Sequence, residues 1–392
     1  MTMLNALTNA RLADGRLVDI LIAEGRIARI DPAAGAKTLP GQLDLDGKLV
    51  VPGFVDGHVH LDKTLLGLPL QPHQPGGSVA ERIALEKALL SALPVSVESR
   101  AQAMVAQLSR QGTTVLRSHV DIDTDWGLSN LQAILRVREA VRDVMDIQIV
   151  AFPQNGIIRD PGTAALLDQA VAEGADLIGG LDPAGIDGDI NGHLDIVFGI
   201  AERRGVGVDI HLHDGGALGC FELRDIAART IAGGLHGRVA VAHAFALGSA
   251  DDADVGATAD ALARAGVAIM TNEPGPVPMP PVKRLRAAGV TVFAGCDNIR
   301  DAWSPYGNGD LLERAMLIGY RQGMVTDAEL DAAFALATTA PAKVLGLDAD
   351  YGVAVGAWAD IVALQAASVA EALVTRPGGR VVLKRGRLLH QG

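Results

Sequence analysis

Cysteine, aromatic residues and long apolar runs are all scarce in this chain of 392 residues. Its two cysteines, Cys220 and Cys296, lie far apart and lack the CxxC spacing, which excludes a disulfide scaffold and a cysteine-rich zinc site. No apolar run approaches the roughly 20 residues that span a bilayer. The first residues do not combine a basic segment with an apolar one, as a signal peptide does. We therefore expect a cytoplasmic protein that is not inserted in a membrane.

Positive charge is scarce as well, because 34 Lys and Arg stand against 46 Asp and Glu, a net charge of −12 at pH 7. A nucleic-acid surface or an anionic membrane surface requires a basic patch, so neither partner is expected. Glycine-rich phosphate-binding motifs are also lacking after the predicted strands, which argues against a nucleotide site. What the chain does have is the composition of a globular protein, with 49% hydrophobic residues.

The central part of the chain alternates short β-type runs with amphipathic helical stretches. Strands that are apolar on both faces and separated by single helices indicate a parallel sheet covered by helices. Eight such units favour an α/β fold of the closed (β/α)8, or TIM-type, barrel class. The predicted strands are Leu49–His60, Thr113–Asp121, Asp146–Gln154, Asp176–Asp182, Val206–His213, Arg238–Phe245, Val267–Asn272 and Val290–Asp297.

The two ends of the chain have a different pattern, of short strands and turns. Residues 1–50 and 346–392 are each too short to hold a core, so we expect them to form one small β-sandwich beside a barrel made by residues 51–345. Two helices, Gly309–Gln322 and Asp327–Leu345, are predicted to connect the barrel to this sandwich.

Two histidines end the first predicted strand. His58 and His60 are two residues apart, so on a strand both imidazoles point to the same face. A divalent metal ion is held in this way. Two ordinary polar residues at a strand end are the alternative interpretation, and the rest of the chain favours the metal because further ligands occur at other strand ends.

The C-terminal strand ends of a (β/α)8 barrel meet at one mouth, where active sites lie. Three imidazoles and one carboxylate around an ion leave a position for water, whose pKa the ion lowers to about 7. His58, His60, His211 and Asp297 are the candidate ligands, and His243 and Asp297 are candidates for moving the proton of that water. The polar residues at predicted strand ends are His58, His60, His119, Asp121, Gln154, Asp182, His211, His213, His243 and Asp297.

Motifs spread over nearly the whole chain, in order, carry a family resemblance: Pro52-Gly-Phe-Val-Asp-Gly-His-Val-His-Leu-Asp-Lys63, Arg117-Ser-His-Val-Asp121, Ile149-Val-Ala-Phe-Pro-Gln-Asn-Gly-Ile157, Asp209-Ile-His211, Ala242-His243, Cys296-Asp-Asn298 and Asp301-Ala-Trp303. With them the chain resembles the amidohydrolase superfamily and, within it, the cytosine-deaminase-like branch. The resemblance implies the barrel with its terminal sandwich, one divalent metal ion per chain, hydrolysis of a C–N bond in a small heterocyclic substrate, and a tendency to homo-oligomers.

Carried over residue by residue, the resemblance also implies roles for single side chains. His58, His60, His211 and Asp297 would bind the metal, and His243 would position the water. In the same way Gln154 would hydrogen-bond the ring amide of a pyrimidine or triazine, and Trp303 would line the pocket. His119 is expected to support the site or to be structural.

Two positions depart from the cytosine-deaminase pattern. Where those enzymes have a proton-shuttling Glu three residues after the strand-5 histidine, this chain has Asp214. Where they tend to have a small hydroxyl residue, it has Lys63. A triazine-degrading relative in the same branch pairs such a Lys with an Asp on strand 4 and a His two residues after the strand-5 ligand, and Asp182 and His213 match. The proton shuttle is therefore either His213 or Asp214.

The resulting expectation is a metal-dependent aminohydrolase (deaminase). It attacks a C–N bond of a pyrimidine- or triazine-like heterocycle with a metal-bound hydroxide and releases ammonia or an alkylamine. Zinc is the expected ion, and Fe(II) or Mn also suits three histidines and an aspartate. The alternatives are a cytosine deaminase proper, a ring-opening cyclic amidase, whose binuclear site usually needs a Lys where this chain has Asp182, and an inactive scaffold, which would have lost ligands that this chain keeps.

Overall fold

A computed structural model of the chain describes residues 2–35, 39–73, 77–273 and 275–392, and the elements given below are those of these residues. The N-terminal strands are β1 (Thr2–Met3), β2 (Ala6–Arg11), β3 (Leu17–Ala23), β4 (Arg26–Pro32), β5 (Gln42–Asp44) and β6 (Leu49–Pro52). The next eight are β7 (Phe54–Val59), β8 (Thr113–Asp121), β9 (Asp146–Phe152), β10 (Leu177–Leu181), β11 (Gly207–Leu212), β12 (Val239–His243), β13 (Ala268–Thr271) and β14 (Val292–Ala294). The last are β15 (Ile361–Leu364), β16 (Val381–Lys384) and β17 (Arg387–Gln391).

Helices occupy most of the chain between these strands. Those between the central strands are α1 (Val79–Ser91), α2 (Val97–Arg110), α3 (Ser129–Val141), α4 (Thr163–Glu173), α5 (Ile190–Arg204), α6 (Gly216–Ala232), α7 (Asp252–Ala265) and α8 (Val282–Ala287). Towards the C-terminus follow α9 (Leu311–Arg321), α10 (Asp327–Ala335), α11 (Thr339–Val344) and α12 (Val369–Thr375). None of the helices in the described ranges is both long and apolar enough to cross a membrane.

The central strands form the predicted (β/α)8 barrel. Each of β7 to β14 pairs in parallel with its neighbours in sequence order. The ring is completed by a parallel bridge between Val59 and Asp297, where the Asp297 amide donates to the His58 carbonyl at 2.8 Å. Apolar side chains from the strands and the surrounding helices make one continuous core. The predicted fold class is thereby confirmed, and all C-terminal strand ends lie at one mouth.

The terminal strands form a separate unit, as expected. Nine strands of the described residues make one sheet, in the order β1-β17-β16-β15-β6-β2-β3-β4, with β5 paired to β2. The sheet curls on itself, as the contact between its distant parts shows: the Ala359 amide donates to the carbonyl of Gly25, at the tip of the β3–β4 hairpin. Buried apolar side chains of both chain ends, such as Ile20 and Ile361, share one cluster. Neither end could bury these side chains alone.

The prediction of a single strand over Leu49–His60 is wrong. β6 pairs antiparallel with β15 in the terminal sheet, whereas β7 pairs with β8 in the barrel. The chain passes from one sheet to the other at Gly53, where an added Cβ would lie 2.3 Å from the Thr114 hydroxyl oxygen. Only glycine fits such a close approach. The hydrophobic pattern does not reveal this change of partner, because the segments before and after Pro52-Gly53 are both apolar and buried.

The helix prediction over Asp327–Leu345 is also wrong, since two helices, α10 and α11, occupy it. Thr338, with φ −133° and ψ −94°, is not helical. Pro341 lies in the first turn of α11, where the missing N–H of proline costs least. Helices α1 and α12 were not among the predicted elements. In α1 only Ile83 and Glu86 are buried, so no apolar stripe marks it.

A buried lysine ties the terminal sheet to the N-terminal ends of the barrel strands. Lys384 on β16 is 1% exposed, and its ammonium lies 2.7 Å from the Asp360 carboxylate and 2.7 Å from that of Asp146. It also donates to the Thr114 carbonyl at 3.0 Å. These contacts satisfy all three N–H donors of the lysine, so Lys384 forms a buried ionic connection between the two units, beside the more exposed Arg385–Asp146 pair.

Replacing this lysine by methionine (Lys384→Met) is expected to lower the free energy of unfolding by about 3–5 kcal/mol, because the carboxylate of Asp360 stays buried without its partner. The measurement is urea denaturation followed by circular dichroism. Lys283→Met is the matched control. Its ion pair with Glu329 is 2.9 Å long but has a half-exposed lysine, so a loss below about 1 kcal/mol is expected. Equal losses in the two variants would contradict the buried connection.

Candidate metal centre and active site

Four side chains from three barrel strands converge at the mouth. His58 is the penultimate residue of β7 and His60 lies just beyond its end, His211 lies on β11, and Asp297 follows β14. Their potential ligand atoms all lie within 4.8 Å of one another. The Asp297 Oδ1 atom is 3.4 Å from His58 Nε2 and 3.3 Å from His60 Nε2, and His60 Nε2 is 3.4 Å from His211 Nε2. The structure thus brings together the four ligands predicted from the sequence.

The protonation states of these groups suit a cation. Burial lowers the pKa of His60 and His211 well below the usual value, which keeps both imidazoles neutral, as ligands must be. Burial would raise the pKa of Asp297, but the adjoining His58 and His60 rings outweigh it and keep that carboxylate ionised. Within the described ranges, neither ring nitrogen of His58 has a hydrogen-bond partner although the residue is fully buried. A divalent ion fits this donor set.

Asn272 holds the aspartate of this group in place. Its Nδ2 atom donates to Asp297 Oδ2 at 2.8 Å, which leaves Oδ1 facing the histidines. Asn272 directly follows β13, and the sequence prediction missed it as a site residue, although a polar residue at a strand end was the signal used for the others. Asp297 has φ 57° and His243 has φ 70°. Such left-handed backbone costs about 1–3 kcal/mol per residue and is typical of functional sites.

His213 and His243 form the second part of the site. Their rings stack at 4.6 Å between centroids, and the His243 ring lies 5.2 Å from that of His211. Asp182 accepts hydrogen bonds from the His213 backbone amide at 2.5 Å and from its Nδ1 at 2.8 Å. Burial alone would lower the pKa of His213, but the Asp182 charge outweighs it and raises that pKa. His213 is therefore fixed in orientation and able to carry a proton.

Asp214, the other candidate shuttle, faces elsewhere. Its Oδ2 atom accepts from the Gly185 amide at 2.9 Å, and its carboxyl group is close to Glu222, which accepts from the Ala184 amide at 3.0 Å. Asp214 is not among the described residues that line the pocket beside the metal group. The structure thus brings His213, and not Asp214, to the other candidate residues.

A pocket opens beside the four ligands. One side is polar and the other apolar, which suits a small molecule that must be oriented. The predicted Lys63, Gln154 and Trp303 all line it. The complete lining is His60, Lys63, Val79, Phe152, Gln154, Leu181, His211, His213, His243, Asp297, Asn298 and Trp303.

Lys63 lies in this lining with carboxylates behind it. Its ammonium is 3.0 Å from Asp121 Oδ1 and 3.5 Å from Glu86 Oε2, and all three side chains are at most 3% exposed. Burial would lower the pKa of Lys63, but the two carboxylates outweigh it and raise that pKa, so the lysine stays charged. Asp121 was among the predicted strand-end residues. Glu86 was missed, because it belongs to the unpredicted helix α1.

His119 lies behind the metal group. Its ring is 4.0 Å from that of His58 between centroids, and its Nε2 atom is 3.4 Å from Asp209 Oδ1. Asp209 is also paired with Arg117 at 2.7 Å. Burial lowers the pKa of His119 to about 4. The residue is thus placed to support His58.

A (β/α)8 barrel with three histidines and an aspartate at its C-terminal mouth is the architecture of a metal-dependent hydrolase. A family model described as "Amidohydrolase family" matches residues 42–390. The chain belongs to this family, whose members are metal-dependent, and it is a hydrolase acting on carbon–nitrogen bonds other than peptide bonds.

Among similar proteins, N-isopropylammelide isopropyl amidohydrolase of Pseudomonas sp. (strain ADP) is 32% identical over 389 residues, which are 97% of this chain and 96% of that protein. The crystal structure of N-isopropylammelide isopropylaminohydrolase from Burkholderia multivorans ATCC 17616 is 42% identical, with a TM-score of 0.93, and covers 100% of this chain and 99% of that one. The crystal structure of 5-methylcytosine deaminase from Klebsiella pneumoniae, liganded with 5-fluorocytosine, is 28% identical, with a TM-score of 0.90, and covers 99% of this chain and 97% of that one. The likeness to the superfamily and its cytosine-deaminase-like branch is thus confirmed.

Replacing one ligand (His60→Ala) is expected to abolish stoichiometric metal binding and hydrolysis together, because the remaining ligands no longer enclose the ion. Metal content after gel filtration, by plasma mass spectrometry, is the measurement. His236→Ala, at an exposed histidine, is the control and should keep the parent's metal content. A His60→Ala variant that retained both metal and turnover would contradict the assignment.

Proposed function

We propose that this chain is a mononuclear metal-dependent aminohydrolase that cleaves an exocyclic C–N bond of a pyrimidine- or triazine-like heterocycle. The observation that carries the proposal is the combination of the group His58, His60, His211 and Asp297 with a pocket lined by Lys63 and Gln154. These four residues would hold one divalent ion, zinc in this proposal, with Fe(II) or Mn as alternatives. When bound there, the ion supplies a water molecule of lowered pKa as the nucleophile.

The polar wall of the pocket binds and orients the ring. The Gln154 side chain is 3% exposed, and its amide can both donate to and accept from a ring amide. The ring itself packs against Phe152 and Trp303. The Lys63 ammonium donates to the ring oxygen or nitrogen on which negative charge grows during attack, and this stabilises the transition state.

Protons move along the histidine side of the pocket. His243 and Asp297 hold the attacking water and take its proton. His213, kept protonatable by Asp182, delivers a proton to the leaving nitrogen, so that the ring gains an oxygen and the amine departs neutral. Of the two candidate shuttles, His213 is proposed over Asp214 because only His213 lines the pocket.

The apolar wall supports a substrate with an alkyl group. Buried Ile83, Phe152, Leu181 and Ile186 form one cluster, against which Val79 and Trp303 pack. Two similar proteins are named for alkylated heterocycles, N-isopropylammelide and 5-methylcytosine. Because the former is 42% identical over the whole chain, we favour an N-alkylated triazine and release of an alkylamine, with a cytosine deaminase as the second candidate.

Two features weigh against a ring-opening cyclic amidase. β10 is followed by Asp182, where binuclear relatives usually have a bridging lysine. Asp182 instead binds His213. A homo-oligomeric state and a cytoplasmic location stay predictions, as does the absence of a nucleic-acid partner.

The substrate is tested with N-isopropylammelide, ammelide, cytosine and 5-methylcytosine, with isopropylamine and ammonia measured separately. The expected result is the highest kcat/KM with N-isopropylammelide and release of isopropylamine, because the apolar wall binds the alkyl group. A preference for 5-methylcytosine with release of ammonia would favour the second candidate. Hydrolysis confined to hydantoins or dihydropyrimidines would show that the proposal is wrong.

The shuttle is tested with a matched pair of neighbouring variants. His213→Gln is expected to lower kcat by about 10²–10⁴-fold, the usual effect of losing a general acid or base. Asp214→Asn should change kcat only a few-fold. The opposite order would assign the shuttle to Asp214.

A further inference from the structure

Helix α1 is an addition to the barrel, because α2 already provides the helix between β7 and β8. It begins with a capping box in which Ser78 and Glu81 satisfy each other's backbone amides. Its two buried residues, Ile83 and Glu86, are three positions apart and therefore lie on one face. Ile83 packs into the apolar wall of the pocket, and Glu86 reaches Lys63. One face of this helix thus contributes to both walls of the site.

If only the stability of the fold mattered, a buried glutamate at position 86 would be unfavourable. Its carboxylate is 1% exposed, pairs with the Lys63 ammonium at 3.5 Å and also lies beside the Trp303 indole. Lys63 already has the Asp121 carboxylate at 3.0 Å. The charges that act on Glu86 or on this pair are Asp62, Arg100, Asp121 and Asp301. Carboxylates outnumber cations here, and burial raises the pKa of Glu86 to about 7. A second carboxylate beside Lys63, among several other buried acidic groups, therefore indicates a functional role.

The reason lies in the geometry of the lysine. An ammonium has three N–H donors at fixed angles. Asp121 on β8 and Glu86 on α1 approach it from different elements, and Lys63 is also one of the residues that line the pocket. Two carboxylates therefore fix the rotation of the ammonium, and the third donor is left for a ligand in the pocket.

We propose that Glu86 is a positioning residue that, together with Asp121, orients Lys63 towards an oxo group of the bound heterocycle. The inference rests on the proposed function. It narrows the substrate class to rings in which a carbonyl is joined through one ring nitrogen to the carbon under attack, since charge that develops on that nitrogen is shared with the carbonyl oxygen, which accepts the third donor of Lys63.

The test compares Glu86→Gln with Lys87→Gln on the same helix. Lys87, the next residue of α1, forms ion pairs with Asp123 at 2.8 Å and with Asp125 at 2.5 Å instead of with the carboxylate beside Lys63. Glu86→Gln is expected to lower kcat about 10–100-fold on N-isopropylammelide, the cost of a small misplacement of a catalytic group, with KM changed less. Its midpoint of thermal unfolding should be equal to or above that of the parent, because a buried carboxylate is removed. Lys87→Gln should keep the parent's kcat.

A binding measurement completes the test without turnover. Calorimetry with cyanuric acid, the ring product of N-isopropylammelide hydrolysis, should show weaker binding in Glu86→Gln than in the parent. In a Lys63→Met background the same substitution should have no further effect, since Glu86 acts through Lys63.

Three outcomes would overturn the inference: parental kcat and parental affinity in Glu86→Gln, equal losses of kcat in Glu86→Gln and Lys87→Gln, or an undiminished effect in the Lys63→Met background. A parent enzyme inactive on every heterocycle of the panel would instead overturn the proposed function, so the two failures are distinguishable.

Discussion

The site depends above all on the closure of the barrel between its first and last strands. The Asp297 amide donates to the His58 carbonyl at 2.8 Å, and this contact places the aspartate beside the histidine pair. The two strands approach so closely that side chains do not fit between them. A Cβ on Gly295 would lie 2.5 Å from that of His58, and one on Gly57 would lie 2.4 Å from the Phe293 ring. Glycine at both positions lets the ligands of the two strands share one ion.

Burial acts in opposite directions on the groups around this seam. It keeps His60 and His211 neutral, as a metal requires, whereas neighbouring charges outweigh it at Asp297 and Lys63 and keep both ionised. The site therefore has fixed charges and neutral ligands close together, all of them buried. Such an arrangement stabilises charge that develops on a bound ring, because the groups do not need to reorganise during the reaction.

The chain keeps the common part of its family and differs from the cytosine-deaminase pattern at and beside the pocket. The four candidate metal ligands follow the amidohydrolase pattern. Lys63 and His213, which Asp182 holds in place, depart from the cytosine-deaminase pattern and line one pocket, while Asp214 does not line it. These differences occur together and leave the metal ligands unchanged. They therefore indicate a different substrate and the same type of reaction.

The barrel, the candidate metal ligands and most of the residues that line the pocket could be predicted from the sequence, because they follow from local rules. Alternating strand and helix patterns predict parallel βα units, and polar residues at strand ends predict what faces the mouth. Four features follow only from the three-dimensional contacts: the passage between sheets at Gly53, the place of Glu86 on α1, the support of Asp297 by Asn272, and the contact of Asp214 with Gly185 outside the pocket. Each of these depends on which distant residue comes into contact, and a periodic pattern along one segment contains no information on its partner.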